Sequence, residues 1–191
     1  MGACFMVWMT IGMSSWSGLP ACSPGLVMVW DGGAGWIPGG STPPPRERAT
    51  EWLRAMSSRE LWTRYRLGVA TPLPVGRVKG VALPCPDARF GELISRSAGV
   101  VWQGKIATEG SNLLLNRFFG VRSVPGRMFW GTSRVDGLPC LLVDYSQTSW
   151  VYANVRDELR MIAPGVYLGP MFRKQRDGSE RFEMFFALIA P

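Results

Sequence analysis

A mainly β fold is what this sequence predicts: a small antiparallel barrel or curled sheet with one inserted helix and N-terminal helices. Three observations carry that expectation. The dipeptides Asp136-Gly137 and Asp177-Gly178 each stand between apolar runs, the signature of a hairpin whose central residues need positive φ. Runs such as Phe182, Met184, Phe186 and Leu188 place apolar side chains at every second position, the period of a strand with one face on a core. About seven such strands fall after residue 70 with little helical periodicity among them, which suits a closed or strongly curled sheet without exposed edges.

A chain of 191 residues is long enough for one domain that buries roughly two-thirds of its unfolded surface, so no disulfide is needed. The four cysteines, Cys4, Cys22, Cys85 and Cys140, are scattered and form no CxxC pair, which argues against a zinc ribbon or a redox motif. The chain contains no histidine. That removes Ser-His-Asp and Cys-His catalysis, imidazole metal ligation and imidazole acid-base chemistry together. Neither GxGxxG nor GxxxxGK[ST] occurs, so no dinucleotide or P-loop cofactor is expected, and no metal. The formal charge of +7 is spread along the chain, with dense groupings only at Arg64-Tyr65-Arg66 and Arg173-Lys174-Gln175-Arg176. This reads as a basic protein with a solvated basic face, and no nucleic-acid partner is expected.

Three regions follow in order. Residues 1–45 carry a single charged side chain, Asp31, and read as a disordered or misassigned extension or as a targeting segment. Leu19-Pro20-Ala21-Cys22 resembles a lipoprotein processing site and Met1-Gly2 the start of a myristoylation signal, with Met6 where Ser or Thr is wanted. The apolar run is too short to span a membrane, and no basic residue precedes Arg46. A cytoplasmic protein is therefore expected, with an exported lipoprotein anchored through Cys22 as the alternative.

Residues 46–70 form a helical N-terminal segment. Ala49, Trp52, Leu53 and Met56 recur at helical spacing, and Ser57 with Glu60 makes a capping box ahead of Leu61, Trp62 and Tyr65. These helices are expected to pack outside the sheet or plug its end.

Residues 71–191 form the barrel domain. Val75 to Val81 is its first strand, halted by Pro84-Cys85-Pro86, and Phe90, Leu93 and Ile94 suit a short helix. In the next strand Trp102, Gly104 and Ile106 share one face and Gln103 and Lys105 the other. Leu113 to Ser123, a Pro125-Gly126 turn, Arg127 to Val135 and Pro139 to Tyr145 form a meander. Ser149 then caps a helix with Val151, Val155, Leu159 and Ile162 on one stripe, which Pro164-Gly165 ends. Val166 to Lys174 and Arg181 to Ile189 form the last hairpin.

On that helix Glu158 lies about 20° around the wheel from Val151, while Arg156 and Arg160 point away. A carboxylate facing the core costs several kcal/mol unless it finds a cation, a donor or a proton.

Four motifs carry a resemblance. They are Trp102-Gln103-Gly104-Lys105 (WxGK), Asp136 to Tyr145 (DGxPxxxxDY), Asp157-Glu158-Leu159-Arg160 (DELR) and Pro164 to Gly169 (PGxYLG). From about Trp102 onward, roughly half the chain, the sequence resembles a group of uncharacterised bacterial and plant proteins. The resemblance implies a lipocalin-like barrel and no established activity.

Strands with two apolar faces and few inward polar groups suit non-catalytic binding of a small apolar or amphipathic molecule in a barrel cavity. Trp102, Tyr145, Glu158 and Tyr167 are the candidates near such a ligand, with Asp144 and Arg156 at the rim. A lumen filled by its own side chains is equally open at this point. The alternative function is a cofactor-free cyclase, isomerase or hydrolase using Asp144, Glu158 and a tyrosine as acid and base. Oligomeric state is not readable from the chain.

Overall fold

A computed structural model describes residues 44–84, 87 and 91–191, with the backbone alone for residues 91–94. The readings made on residues 1–43, on Cys85 and Pro86 and on Phe90 lie outside the described residues.

Eight antiparallel strands close into a barrel in chain order: β1 (Gly76–Leu83), β2 (Trp102–Ala107), β3 (Leu113–Phe118), β4 (Val121–Thr132), β5 (Pro139–Asp144), β6 (Val155–Ala163), β7 (Val166–Lys174) and β8 (Glu180–Ile189). Pairing of β1 with β8, from Lys79 opposite Ile189 to Leu83 opposite Phe185, shuts the sheet and leaves no free edge. Gly137, Gly165 and Gly178, at φ of 72°, 71° and 84°, make the three hairpin turns after β4, β6 and β7.

Among the described residues three helices accompany the barrel: α1 (Ala49–Arg54), entered through a 3₁₀ turn at Arg46–Arg48, α2 (Ser58–Leu67) and α3 (Gly91–Val101), inserted between β1 and β2. At the start of α2, Ser57 accepts from the Glu60 amide and the Glu60 carboxylate accepts from the Ser57 amide, so the expected capping box forms. Ala49, Leu53, Met56, Leu61 and Tyr65 from α1, α2 and the link between them pack against Val81, Val166, Leu168, Phe185 and Ala187 on the outside of the barrel. The inner faces supply a second core, with Val78, Leu114, Val143, Leu159, Phe186 and Leu188 packed together along the lumen. Strands β1, β7 and β8 are thus apolar on both faces because both are covered.

Three local expectations are corrected. The segment expected as a helix from Ser149 to Ile162 is a turn followed by strand β6. Glu158, Leu159, Arg160 and Met161 are good helix formers, but hydrogen bonding to β5 and β7 on both sides outweighs that small preference. This adds the eighth strand, and the inserted helix is α3. The β3–β4 turn lies at Phe119-Gly120, and Pro125-Gly126 sits within β4 at a register shift opposite Leu115. Proline, which cannot donate to a ladder, is tolerated at such a bulge.

The third correction concerns β2. Its pairing shifts between Trp102 and Gly104, and Gly104 adopts φ +113°. A Cβ there would stand 2.2 Å from the Val78 carbonyl oxygen and 2.4 Å from the Gly80 nitrogen, so glycine alone fits. The extra residue reverses the alternation, and Lys105 turns into the lumen on the same side as Trp102.

Candidate functional site

The lumen of an eight-stranded barrel is narrow, so an inward polar group must find its partners among other inward side chains. Lys105 from β2 is buried there and donates to Asp157 Oδ2 at 2.9 Å and to the Tyr145 hydroxyl. Tyr145 in turn donates to the same carboxylate oxygen at 2.7 Å. Asn116 from β3 joins them, its Nδ2 lying 3.4 Å from the Tyr145 oxygen and 2.9 Å from the Val124 carbonyl. The Trp102 indole donates to Asn116 Oδ1 at 3.1 Å. The ammonium also lies 5.1 Å from the Tyr145 ring centre, 5.4 Å from that of Phe186 and 5.9 Å from that of Trp102, an aromatic cage for its remaining charge.

Burial, reinforced by the charge of Asp157, pushes the Tyr145 hydroxyl well above its ordinary range, so it stays a donor. Two groups in this region lack partners among the described residues: Asp157 Oδ1 and the hydroxyl of Tyr152. The Tyr152 ring centre lies 6.1 Å from that of Tyr145, and burial with the charge of Asp157 pushes its hydroxyl up to about 12 despite Arg173. Towards the other end of the barrel, where β1 begins, Tyr167 donates to the Pro72 carbonyl at 2.8 Å. A cleft of about 310 Å³ lies there, lined by Pro72, Leu73, Asn112, Met128, Phe129, Trp130 and Leu141. Leu73, Met128 and Leu141 also pack in the inner core, so the cleft borders that core at this mouth of the barrel.

A second polar network lies outside the barrel, under α2 and the β4–β5 loop. Glu158 is fully buried; its Oε2 accepts from Tyr65 at 2.8 Å and Ser133 at 2.5 Å, and its Oε1 from the Arg134 amide at 3.0 Å and from Arg156 at 3.1 and 3.2 Å. Arg160 grips Asp136 through two bonds of 2.7 Å and donates to the carbonyls of Leu138 and Pro139. Burial pushes the Asp136 carboxyl up, but the Arg160 fork and the Leu138 amide outweigh it and hold the group below its ordinary range. Cys140 lies beside this network, its thiol pushed up to about 11 by burial and by the charge of Glu158.

The structure therefore separates the residues singled out from sequence. Trp102, Tyr145 and Tyr167 face the lumen, the first two in one network and Tyr167 nearer the mouth. Glu158 and Arg156 bond to each other on the outer face, where Asp144 pairs opposite Arg156 and accepts from Ser146 at 2.7 Å. The core-facing Glu158 finds the cationic and amide partners that its burial requires. Lys105, Asn116, Asp157 and Tyr152 were not singled out. Strict alternation puts Lys105 on the outer face because the bulge is not visible in the sequence, and a helical stripe hides the alternation of 155, 157, 159 and 161 that carries Asp157.

No protein-family model matches the chain, and no curated protein does. A crystal structure of a protein from Thermomonospora curvata superposes with a TM-score of 0.49 at 14% identity, covering 76% of this chain and 97% of the other. The site is read from its own residues.

Proposed function

We propose that this protein is a lipocalin-like, non-catalytic carrier that binds a small neutral amphipathic molecule, polar end towards Lys105, Tyr145 and Asp157 and apolar part towards the mouth. The observation that carries this reading is the unpartnered Asp157 Oδ1 in the buried inner network, with the Tyr152 hydroxyl also unpartnered in the same region. A buried carboxylate oxygen without a donor costs about 1–3 kcal/mol or more, and a bound hydroxyl or amide would remove that cost. The apolar cleft at the mouth supplies a route, with Asn112 as its polar member. Lys105 and Asp157 already neutralise each other, so a charged head group would meet an equal and opposite pair and gain little for its own desolvation.

Native mass spectrometry of gently purified protein, followed by a thermal-shift panel of neutral and charged amphiphiles, tests the reading. Retained non-covalent mass or stabilisation by neutral members is expected. A clean apo mass together with no shift across the panel sinks it.

A further inference from the structure

We infer that the end of the barrel carrying the β3–β4 turn docks on an anionic lipid surface. Exposed apolar tips and a like-charge pair meet there, each of which costs an isolated protein something. Trp150 in the β5–β6 loop is 85% exposed, and Val100 at the end of α3, Val121 and Phe119 are 68%, 65% and 62% exposed. Tyr152 of the β5–β6 loop stacks on Phe118 with ring centres 6.2 Å apart, and the Phe119 amide donates to the Val101 carbonyl at 3.0 Å, so these tips belong to one region. Phe119 adopts φ +51°, a conformation that a bulky side chain holds only at a cost of order 1–3 kcal/mol. Asparagine or glycine would make this turn without strain, whereas phenylalanine there places a large apolar ring at the outermost point.

The β3–β4 turn itself is flanked by two like charges. Arg117 and Arg122 stand directly opposite each other across the β3–β4 ladder, a like-charge pairing that a sheet ordinarily avoids. Among the described residues neither makes an ion pair. The Asp144 carboxylate at this end accepts from Ser146 and stands opposite Arg127 and Arg156 in its two ladders. An interface of apolar depth beneath an anionic surface relieves both costs: tryptophan and phenylalanine enter the headgroup boundary while the arginines meet lipid phosphates.

The test is flotation of the full chain with vesicles of phosphatidylcholine alone and of phosphatidylcholine containing one part in three phosphatidylglycerol. Binding to the anionic vesicles that falls with added salt is expected, weaker by about tenfold or more in an Arg117→Ser/Arg122→Ser variant. Trp150→Ser with Val121→Ser should lose binding while keeping the wild-type circular-dichroism spectrum and melting temperature. Three results overturn the inference: no flotation with anionic vesicles, equal flotation with neutral ones, or flotation that survives both double variants. A dimer of the wild type that the Trp150→Ser/Val121→Ser variant abolishes, without vesicle binding, would assign the face to a second copy of the chain instead.

Discussion

Removing Lys105 alone and removing it together with Asp157 have different costs. Lys105→Met leaves Asp157 buried without its cation, and a loss of about 3–5 kcal/mol in urea denaturation is expected. Lys105→Met with Asp157→Leu removes both charges and should recover part of that stability, because the apolar pair incurs no ionic desolvation cost while the Tyr145 hydroxyl loses its acceptor. If the single and double variants are equally unstable, the ion pair is not what the lumen holds in place. Asp136 gives a pH-dependent counterpart on the outer face. Its folded pKa is depressed, so its contribution is fully present above the unfolded value near 3.9 and fades as pH falls through the lower folded value. Asp136→Asn should therefore lower stability at neutral pH and flatten the acid limb of a stability-versus-pH curve. An unchanged acid limb would show that Arg160 does not set the charge state of this carboxyl.

At the scale of single elements, Gly104 decides what β2 presents to the lumen. Gly104→Ala meets two backbone atoms at φ +113°, and a loss of about 3 kcal/mol or more is expected. Gly110→Ala, at φ +66° in open space, should cost only about 1 kcal/mol, which separates the close approach from the dihedral alone. Ser57→Ala removes half of the α2 capping box and should cost about 1 kcal/mol by thermal melting. What could be read in advance tracks how local the cause is. The turns at Gly137 and Gly178 and the cap at Ser57 rest on a few adjacent residues and were legible. Strand β6 was not, because the positions Val151, Val155 and Leu159 satisfy a helical stripe while the last two also satisfy alternation. Only pairing with distant β5 and β7 decides between the two. Tyr145 and Tyr167 were legible as large amphipathic rings on apolar strands. Lys105 was not, since the bulge that turns it inward depends on contact between Gly104 and the backbone of β1.

For the whole molecule, closure puts two polar networks on opposite sides of one sheet, and they are used differently. The outer network around Glu158 and Arg160 ties α2 and the β4–β5 loop to the barrel and has its acceptor oxygens filled. The inner one around Lys105, Tyr145 and Asp157 fixes no connection between elements beyond the barrel, yet it leaves a carboxylate oxygen unfilled. That contrast is the reason for proposing ligand binding in the lumen. The most direct test is calorimetric titration of 1-decanol and decanamide into the wild-type chain and into the Lys105→Met/Asp157→Leu variant. Loss of a hydrogen bond to a charged group predicts binding to the variant weaker by about tenfold or more. Equal affinity in the two proteins would place the ligand elsewhere and contradict the account.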